Sequence, residues 1–256
     1  MTDKHVAIVT GGANGIGEAT AKLFAQNNYA LAIIDIVDRV EQVAAEIESE
    51  GGDCLFARGD VSNESEVTAF VDQVMKVHGR IDALINNAGT VVVKPLEETA
   101  WTDFRKVVDV NLGGIFLFCK HVLPIMKKQQ GGAIVNMGSV SGHVGQIDHA
   151  IYGATKGAII AFTRAVAWEV APHGVRVNSI SPGSVDTPML RSDIELESKR
   201  TGIPYDQVKR EREAEQAFNR WADPKEVAEA IYFLASNKAS FITGTDLLVD
   251  CGWVAK

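Results

Sequence analysis

Cysteine, positive charge, long apolar runs and export signals are all scarce or missing in this chain. Only three cysteines occur, Cys54, Cys119 and Cys251. They stand far apart in apolar surroundings, which excludes a disulfide framework or a thiolate metal site and reads as reduced core thiols. No metal site is expected. Acidic residues outnumber basic ones, 33 to 25, for a formal charge of −8. A broad basic face for nucleic acid is therefore not expected. No unbroken apolar stretch reaches the length of a membrane span. The lead Met1-Thr2-Asp3-Lys4-His5 runs into Val6-Ala7-Ile8-Val9 without the basic and apolar regions of a secretory signal. These absences suggest a cytoplasmic protein with neither nucleic acid nor membrane as partner.

What is present points to an α/β fold. The chain has 256 residues, 46% hydrophobic and 23% charged, enough for a substantial core. Nearly continuous apolar runs at Val6–Thr10, Ala30–Asp35, Cys54–Arg58, Ala83–Asn86, Ala133–Met137, Arg176–Ser181 and Asp246–Val249 suit strands buried on both faces. Between them, helices are expected over Ile16–Asn27, Arg39–Ser49, Glu64–His78, Trp101–Gln129, Ile151–Ala171 and Pro224–Ala235. Ser62-Asn63-Glu64 and Asp223-Pro224 supply helix starts. This alternation implies right-handed crossovers and a doubly wound, Rossmann-like parallel sheet in one domain, 1–256. Arg191–Ala222, within an insertion at about 188–222, breaks the pattern with charge, Gly202 and Pro204. It reads either as a solvated surface insertion or as a lid over a ligand. As a lid it would turn Ile194, Leu196, Ile203, Tyr205, Val208, Phe218 and Trp221 inward and leave Lys209–Glu213 in water.

Three clusters carry chemistry. Thr10-Gly11-Gly12-Ala13-Asn14-Gly15-Ile16-Gly17 joins the first strand to the first helix. Gly11, Gly15 and Gly17 let the backbone approach a pyrophosphate, with the helix start, including Asn14 and Ile16, facing the anion. Asp35, followed by Ile36, ends the second strand, where a carboxylate accepts both ribose hydroxyls and repels a 2′-phosphate. No cation lies within Gly11–Gly17 or directly after Asp35, Arg39 being the nearest, so NAD is favoured over NADP. Tyr152 and Lys156, at i and i+4, share a helix face. A lysine cation would lower the phenol's pKa, so that the phenolate could take a proton from an alcohol or the phenol return one to a ketone. Ser139, at a strand end upstream, could hydrogen-bond the same oxygen. Gln146 and His149, in the loop before Tyr152, read as substrate contacts that point to a polyol, sugar or hydroxy acid; polar residues facing solvent are the plainer reading.

Together these motifs make the sequence resemble the short-chain dehydrogenase/reductase family across essentially its whole length. Thr10–Gly17 matches its T-G-x-x-x-G-x-G, and Asn86-Asn87-Ala88-Gly89 its N-N-A-G. Asp60-Val61 falls where the family binds adenine. Pro182-Gly183, Val185 and Thr187 match the segment that grips the nicotinamide. The resemblance implies Tyr152 as general acid/base and Ser139 as the group that polarises the substrate oxygen. It makes Lys156 the ribose ligand that depresses the tyrosine pKa, and Asn111 the holder of a relay water. Asn87, Ala88 and Gly89 become cofactor contacts. It also implies a seven-stranded sheet and a small-molecule substrate. Gly138 departs from the pattern, because many members carry a second serine there. Family members commonly form tetramers. The apolar tail Asp246–Val254, with an exposed-looking Trp253 after an edge strand, suits an interface of a homotetramer.

The leading expectation is therefore an NAD-dependent oxidoreductase of a small secondary alcohol or ketone. A 3-oxoacyl-thioester reductase is the close alternative, although Asp35 argues against the NADPH it would favour. A methyltransferase has no need of Ser139, Tyr152 and Lys156. A non-catalytic nucleotide-binding scaffold would have no reason to keep them.

Overall fold

In the computed structural model, which describes residues 4–256, every expected apolar run is a strand of one sheet. Met1, Thr2 and Asp3, read above for a signal, lie outside that range. The strands are β1 (Val6–Thr10), β2 (Ala30–Asp35), β3 (Asp53–Arg58), β4 (Ala83–Asn86), β5 (Gly132–Met137), β6 (Val175–Pro182) and β7 (Asp246–Val249). Their order is β3-β2-β1-β4-β5-β6-β7, with all pairs parallel. Order reverses between β1 and β4, which opens a crevice beyond the strands' carboxyl ends.

Strand side chains alternate between two cores. Ile8, Leu84 and Ile134 face α3 (Glu64–His78), α5 (Gly114–Gln129) and α6 (Ala150–Val170). Val9, Ile33 and Ile85 face α1 (Gly15–Gln26), α2 (Arg39–Ser49) and α9 (Pro224–Ala235). The expected caps are in place. Asn63 accepts from the Ser65 backbone N–H at 3.1 Å, and Asp223 forms a capping box with Glu226 around Pro224.

The long helix over Trp101–Gln129 is not uniform. It consists of α4 (Trp101–Val108), a π turn at Asp109–Gly113, and α5. By length and composition it could cross a membrane, with mean hydropathy 1.4, which corrects the expectation that no segment could. It is a core helix of the fold: Ile115, Phe118, Cys119, Val122 and Met126 pack onto the sheet. Cys54 and Cys119 are free, buried thiols, as expected, and burial pushes both up to about 12 in pKa.

Two expectations about the C-terminal region are corrected. Trp253 is not exposed but 7% accessible, because Gly252 turns through φ +78 and returns the tail over the carboxyl ends of the strands. The insertion folds as α7 (Pro188–Thr201) and α8 (Tyr205–Ala214). Ile194 and Val208 are buried under it, but Phe218 is 73% exposed and Leu196 also faces out.

Polar residues also lock the layers together. The Asn86 Nδ2 donates to Asn136 Oδ1 at 2.8 Å, and Asn136 Nδ2 donates to Thr163 Oγ1 at 2.9 Å. This chain ties β4 to β5 and β5 to α6, the helix that carries Tyr152 and Lys156. Asn136→Ala strips both neighbours of a buried partner, and its expected loss of stability is about 1–3 kcal/mol by chemical denaturation. An unchanged midpoint would mean that packing alone seats α6.

Candidate active site

The turn after β1 is held by backbone and short polar groups. Thr10 Oγ1 accepts from the N–H groups of Asn87 and Ala88, each at 3.0 Å. The Asn87 amide returns two bonds, to the carbonyls of Thr10 and Gly11, both at 3.0 Å. Gly11 (φ +65) and Gly15 (φ +52) adopt conformations that side chains disfavour. A Cβ on Gly17 would fall on the Gly11 carbonyl oxygen and lie 2.5 Å from Asn87 Nδ2. Asn14 precedes α1 without capping it, so the first-turn N–H groups are left to a ligand.

Asp35 stands at the end of β2, its oxygens accepting from Ala13 N–H at 3.0 Å and Val37 N–H at 3.2 Å. These bonds orient the carboxylate while leaving it acceptor capacity for ribose hydroxyls. The nearest cations are committed elsewhere. Arg39 donates to the Ala13 carbonyl and grips Glu18 with a forked pair at 3.0 and 2.9 Å. Arg58, β3 partner of Asp35 and unnoticed in the sequence, pairs with Asp38 at 2.7 Å.

One cavity of about 710 Å³ runs from this turn past the ends of β4, β5 and β6. Gly11, Asn14, Gly15, Ile16, Asp35 and Ile36 line it, as do Asp60 and Val61. So do Asn87, Ala88, Gly89, Pro182, Gly183, Val185 and Thr187. Gly17 supports the turn from behind. Thr187 joins two parts of the site: its hydroxyl caps α7, and its methyl sits where a Cβ on Gly15 would come within 2.9 Å. The cradle is closed to side chains and open to a backbone-bound phosphate, so these residues fit a dinucleotide.

Ser139, Tyr152 and Lys156 converge on the other half of the same cavity. Lys156 is 3% exposed; its Nζ donates to the Met137 carbonyl at 2.7 Å and lies 5.4 Å from the centre of the Tyr152 ring. Burial pushes the ammonium down to about 7. Burial also pushes the Tyr152 phenol up to about 12, with the Ser139 hydroxyl alone acting in the lowering direction. The Asp193 charge acts in the same upward direction as burial, so the phenol of the chain alone stays protonated at neutral pH. Asn111 lies in the π turn, fixed by the Thr90 N–H onto Oδ1 at 2.8 Å and by Nδ2 to Thr155 Oγ1 at 3.1 Å. Gly138 has a physical reason to lack a side chain: a Cβ there would meet Ser181 Oγ at 2.5 Å.

The substrate half contains more than the sequence indicated. Ser139 donates to Ser141 at 3.2 Å, and Ser141 donates to Gln146, so Gln146 is linked to Ser139. His149 stacks edge-on against Tyr152 at 6.3 Å. Asp193 from α7, Arg212 from α8 and Trp253 from the tail also line the cavity, and none was foreseen. Arg212 corrects the expectation that Lys209–Glu213 stays in water. Its side chain is 14% exposed and pairs with Glu197 at 2.8 Å. A charge run reads as solvated when the partner that buries it lies on another helix. Among the described residues, no cluster of His, Cys, Asp or Glu could hold a metal ion.

A family profile described as enoyl-(acyl carrier protein) reductase matches residues 11–254. The chain belongs to the short-chain dehydrogenase/reductase family, and is an oxidoreductase of CH–OH groups with a nicotinamide dinucleotide as the expected cofactor. It is similar to cis-4-hydroxycyclohexanecarboxylate dehydrogenase of Sinomonas cyclohexanicum, 40% identical over 253 residues covering 98% of this chain and 97% of that one. Among solved structures, a variant of actinorhodin polyketide ketoreductase with NADPH superposes with TM-score 0.95 at 30% identity, over 99% and 98% of the two chains. NAD⁺-bound xylitol dehydrogenase superposes with TM-score 0.92 at 33% identity, over 96% and 97%.

The cradle makes a direct prediction. Gly17→Ala forces the glycine turn away from Asn87, and dinucleotide affinity by fluorescence titration is expected to fall at least about tenfold while the circular dichroism stays native. Unaltered affinity would show that the close approach at Gly17 is not needed.

Proposed function

We propose that the chain is an NAD-dependent dehydrogenase of small secondary alcohols, working in reverse as a ketone reductase. The observation that carries this reading is the convergence of Ser139, Tyr152 and Lys156 on the cavity that Asp35 and the glycine turn also line. The dinucleotide, when bound, supplies the hydride acceptor and donor. Tyr152 Oη takes the hydroxyl proton as the alcohol carbon is oxidised, and returns it in reduction. Ser139 Oγ donates a hydrogen bond to the substrate oxygen. Lys156 would hold the ribose beside Tyr152, and Asn111 would hold the water of a proton relay through Lys156. Asp35 would accept the ribose hydroxyls and repel a 2′-phosphate, and among the described residues the nearest cations, Arg39 and Arg58, are paired with Glu18 and Asp38. The 3-oxoacyl-thioester reductase remains the second reading, favoured by the likeness to the polyketide ketoreductase. Its usual NADPH is what Asp35 opposes.

Tyr152→Phe keeps the ring and removes the transferable proton. Turnover of a secondary alcohol with NAD⁺ is expected to fall at least about 10²-fold with dinucleotide binding retained. Wild-type turnover in the variant would refute the role, and a native enzyme preferring NADP⁺ would refute the cofactor assignment.

The same reading takes 1–256 as one cytoplasmic domain, with about 188–222 as the substrate lid, assembled as a homotetramer. Support for assembly comes from apolar surface on separate elements: Phe116 of α5 and Trp168 of α6 on one side, Phe241 and Leu248 near the β7 edge on another. Two such faces suit a closed assembly with two interfaces. Light scattering at micromolar concentration should give four chains, and a monomer would contradict it.

A further inference from the structure

The mechanism leaves one feature of the cavity without a task. Asp193 projects from α7 into the substrate half and is 8% exposed, yet its Oδ1 has no hydrogen-bond partner. Its Oδ2 lies 3.4 Å from His149 Nε2. The Ile147 carbonyl, 2.6 Å from His149 Nδ1, can only accept, so Nδ1 carries a proton. Nε2 therefore faces the carboxylate either as a bare lone pair, which repels it, or as the second N–H of an imidazolium. Burial alone would lower the His149 pKa, but the hydrogen bond and charge of Asp193 with the Ile147 carbonyl outweigh it and hold it above the ordinary value. The geometry and the direction of that shift agree on an imidazolium–carboxylate pair.

The surrounding charges narrow what this pair can receive. Arg212 is held by Glu197 at 2.8 Å and Glu215 at 3.9 Å. Arg200 is paired with Asp148, and Arg191 with Asp186 at 2.7 Å. On the α7–α8 side of the cavity, each of these cations already has a carboxylate, so none of them is free for a substrate carboxylate or phosphate. On this side of the cavity His149 is paired with Asp193 and Arg212 with Glu197, so neither offers an anion an unpaired charge. An unpartnered carboxylate oxygen wants a donor instead, and an aspartate can swing its oxygens about χ2 at little cost.

We infer that Asp193, braced by His149, is a specificity-determining acceptor for a second hydroxyl of an uncharged substrate, which places the natural substrate among diols, polyols or neutral sugars rather than hydroxy acids. The inference rests on the dehydrogenase reading above and sharpens it. The reacting hydroxyl sits at Tyr152 and Ser139, and the second hydroxyl lies one imidazole ring away. A substrate lacking that hydroxyl leaves a buried carboxylate oxygen unsatisfied, the situation in which polar sites discriminate strongly.

The test compares oxidation of cyclohexanol, the 1,2-, 1,3- and 1,4-cyclohexanediols and 4-hydroxycyclohexanecarboxylate by the native enzyme and by Asp193→Asn. In the native enzyme, kcat/KM for at least one diol is expected to exceed that for cyclohexanol by about tenfold or more, with the carboxylate no better than cyclohexanol. Asp193→Asn keeps the size of the side chain and should collapse the diol-to-cyclohexanol ratio, chiefly through the KM of the diol. A ratio near one in the native enzyme, a preference for the carboxylate, or an unchanged ratio in the variant would each overturn the inference while leaving the dehydrogenase intact. Oxidation of none of these alcohols with either NAD⁺ or NADP⁺ would instead overturn the dehydrogenase reading and take the inference with it.

Discussion

A lysine ammonium sealed in the interior, with a backbone carbonyl as partner and burial as the one influence on its pKa, is the constraint around which this structure is organised. A buried amine without a carboxylate partner is costly whether it keeps its proton or gives it up, and a fold keeps one only where other interactions prevent the side chain from escaping to water. Here those interactions can be named. The apolar face of α6 packs Ile159, Val166 and Val170 into the core, and the Asn86–Asn136–Thr163 chain fixes that helix against β5. Met137, whose carbonyl receives the ammonium, ends the same strand. The opposite displacement of Tyr152, pushed up to about 12, is the same desolvation acting on an acid. Neither group is set for catalysis by the chain alone, and a cationic nicotinamide ring would favour the phenolate.

The parallel sheet brings these groups to the ligand. Because β1, β4, β5 and β6 all end at one edge, the turns and loops that follow them form a single wall. Thr10 and Asn87 fasten the turn after β1 to the loop after β4 at the point where strand order reverses. The π turn at Asp109–Gly113 adds one residue to a helical turn, and Asn111 is thereby placed with its carboxamide bonded to Thr90 and Thr155. Extra helical turns of this kind are uncommon and concentrate at functional sites.

Most of this was legible in the sequence because it is local. Strand runs are decided by apolar continuity, the glycine turn by backbone conformations that only glycine accepts readily, and Tyr152 with Lys156 by helical spacing. What escaped depends on distant partners. One inserted residue at Asn111 barely disturbs an apolar stripe, so Trp101–Gln129 reads as one helix. Arg212 sits in a run of alternating charges, and only the arrival of Glu197 from α7 turns it inward. Trp253 follows an edge strand, where exposure is the natural expectation, but the left-handed turn at Gly252 folds it back over the cavity. Phe218 fails in the opposite sense, being large and apolar yet outside. Tertiary contact decides each of these, and no periodicity encodes it.

The site's two halves are also joined covalently, over very few residues. Pro182 ends β6, Gly183 donates to the Val249 carbonyl at 3.0 Å, and a Cβ at Gly183 would meet Gln216 Oε1 at 2.6 Å. Four residues on, Thr187 caps α7 while its methyl rests against Gly15 of the phosphate turn. Asp193 follows in the second turn of that helix. The wall that would select the substrate therefore begins inside the cradle that would hold the dinucleotide, and its angle of departure is set by the Gly15–Thr187 contact. A bulkier residue at either position would move α7 as a rigid rod, and with it the distance between Asp193 and Tyr152. The insertion's outer surface, where Leu196 and Phe218 face out, carries no such constraint, whereas the first turn of α7 is tied to the cradle through Thr187.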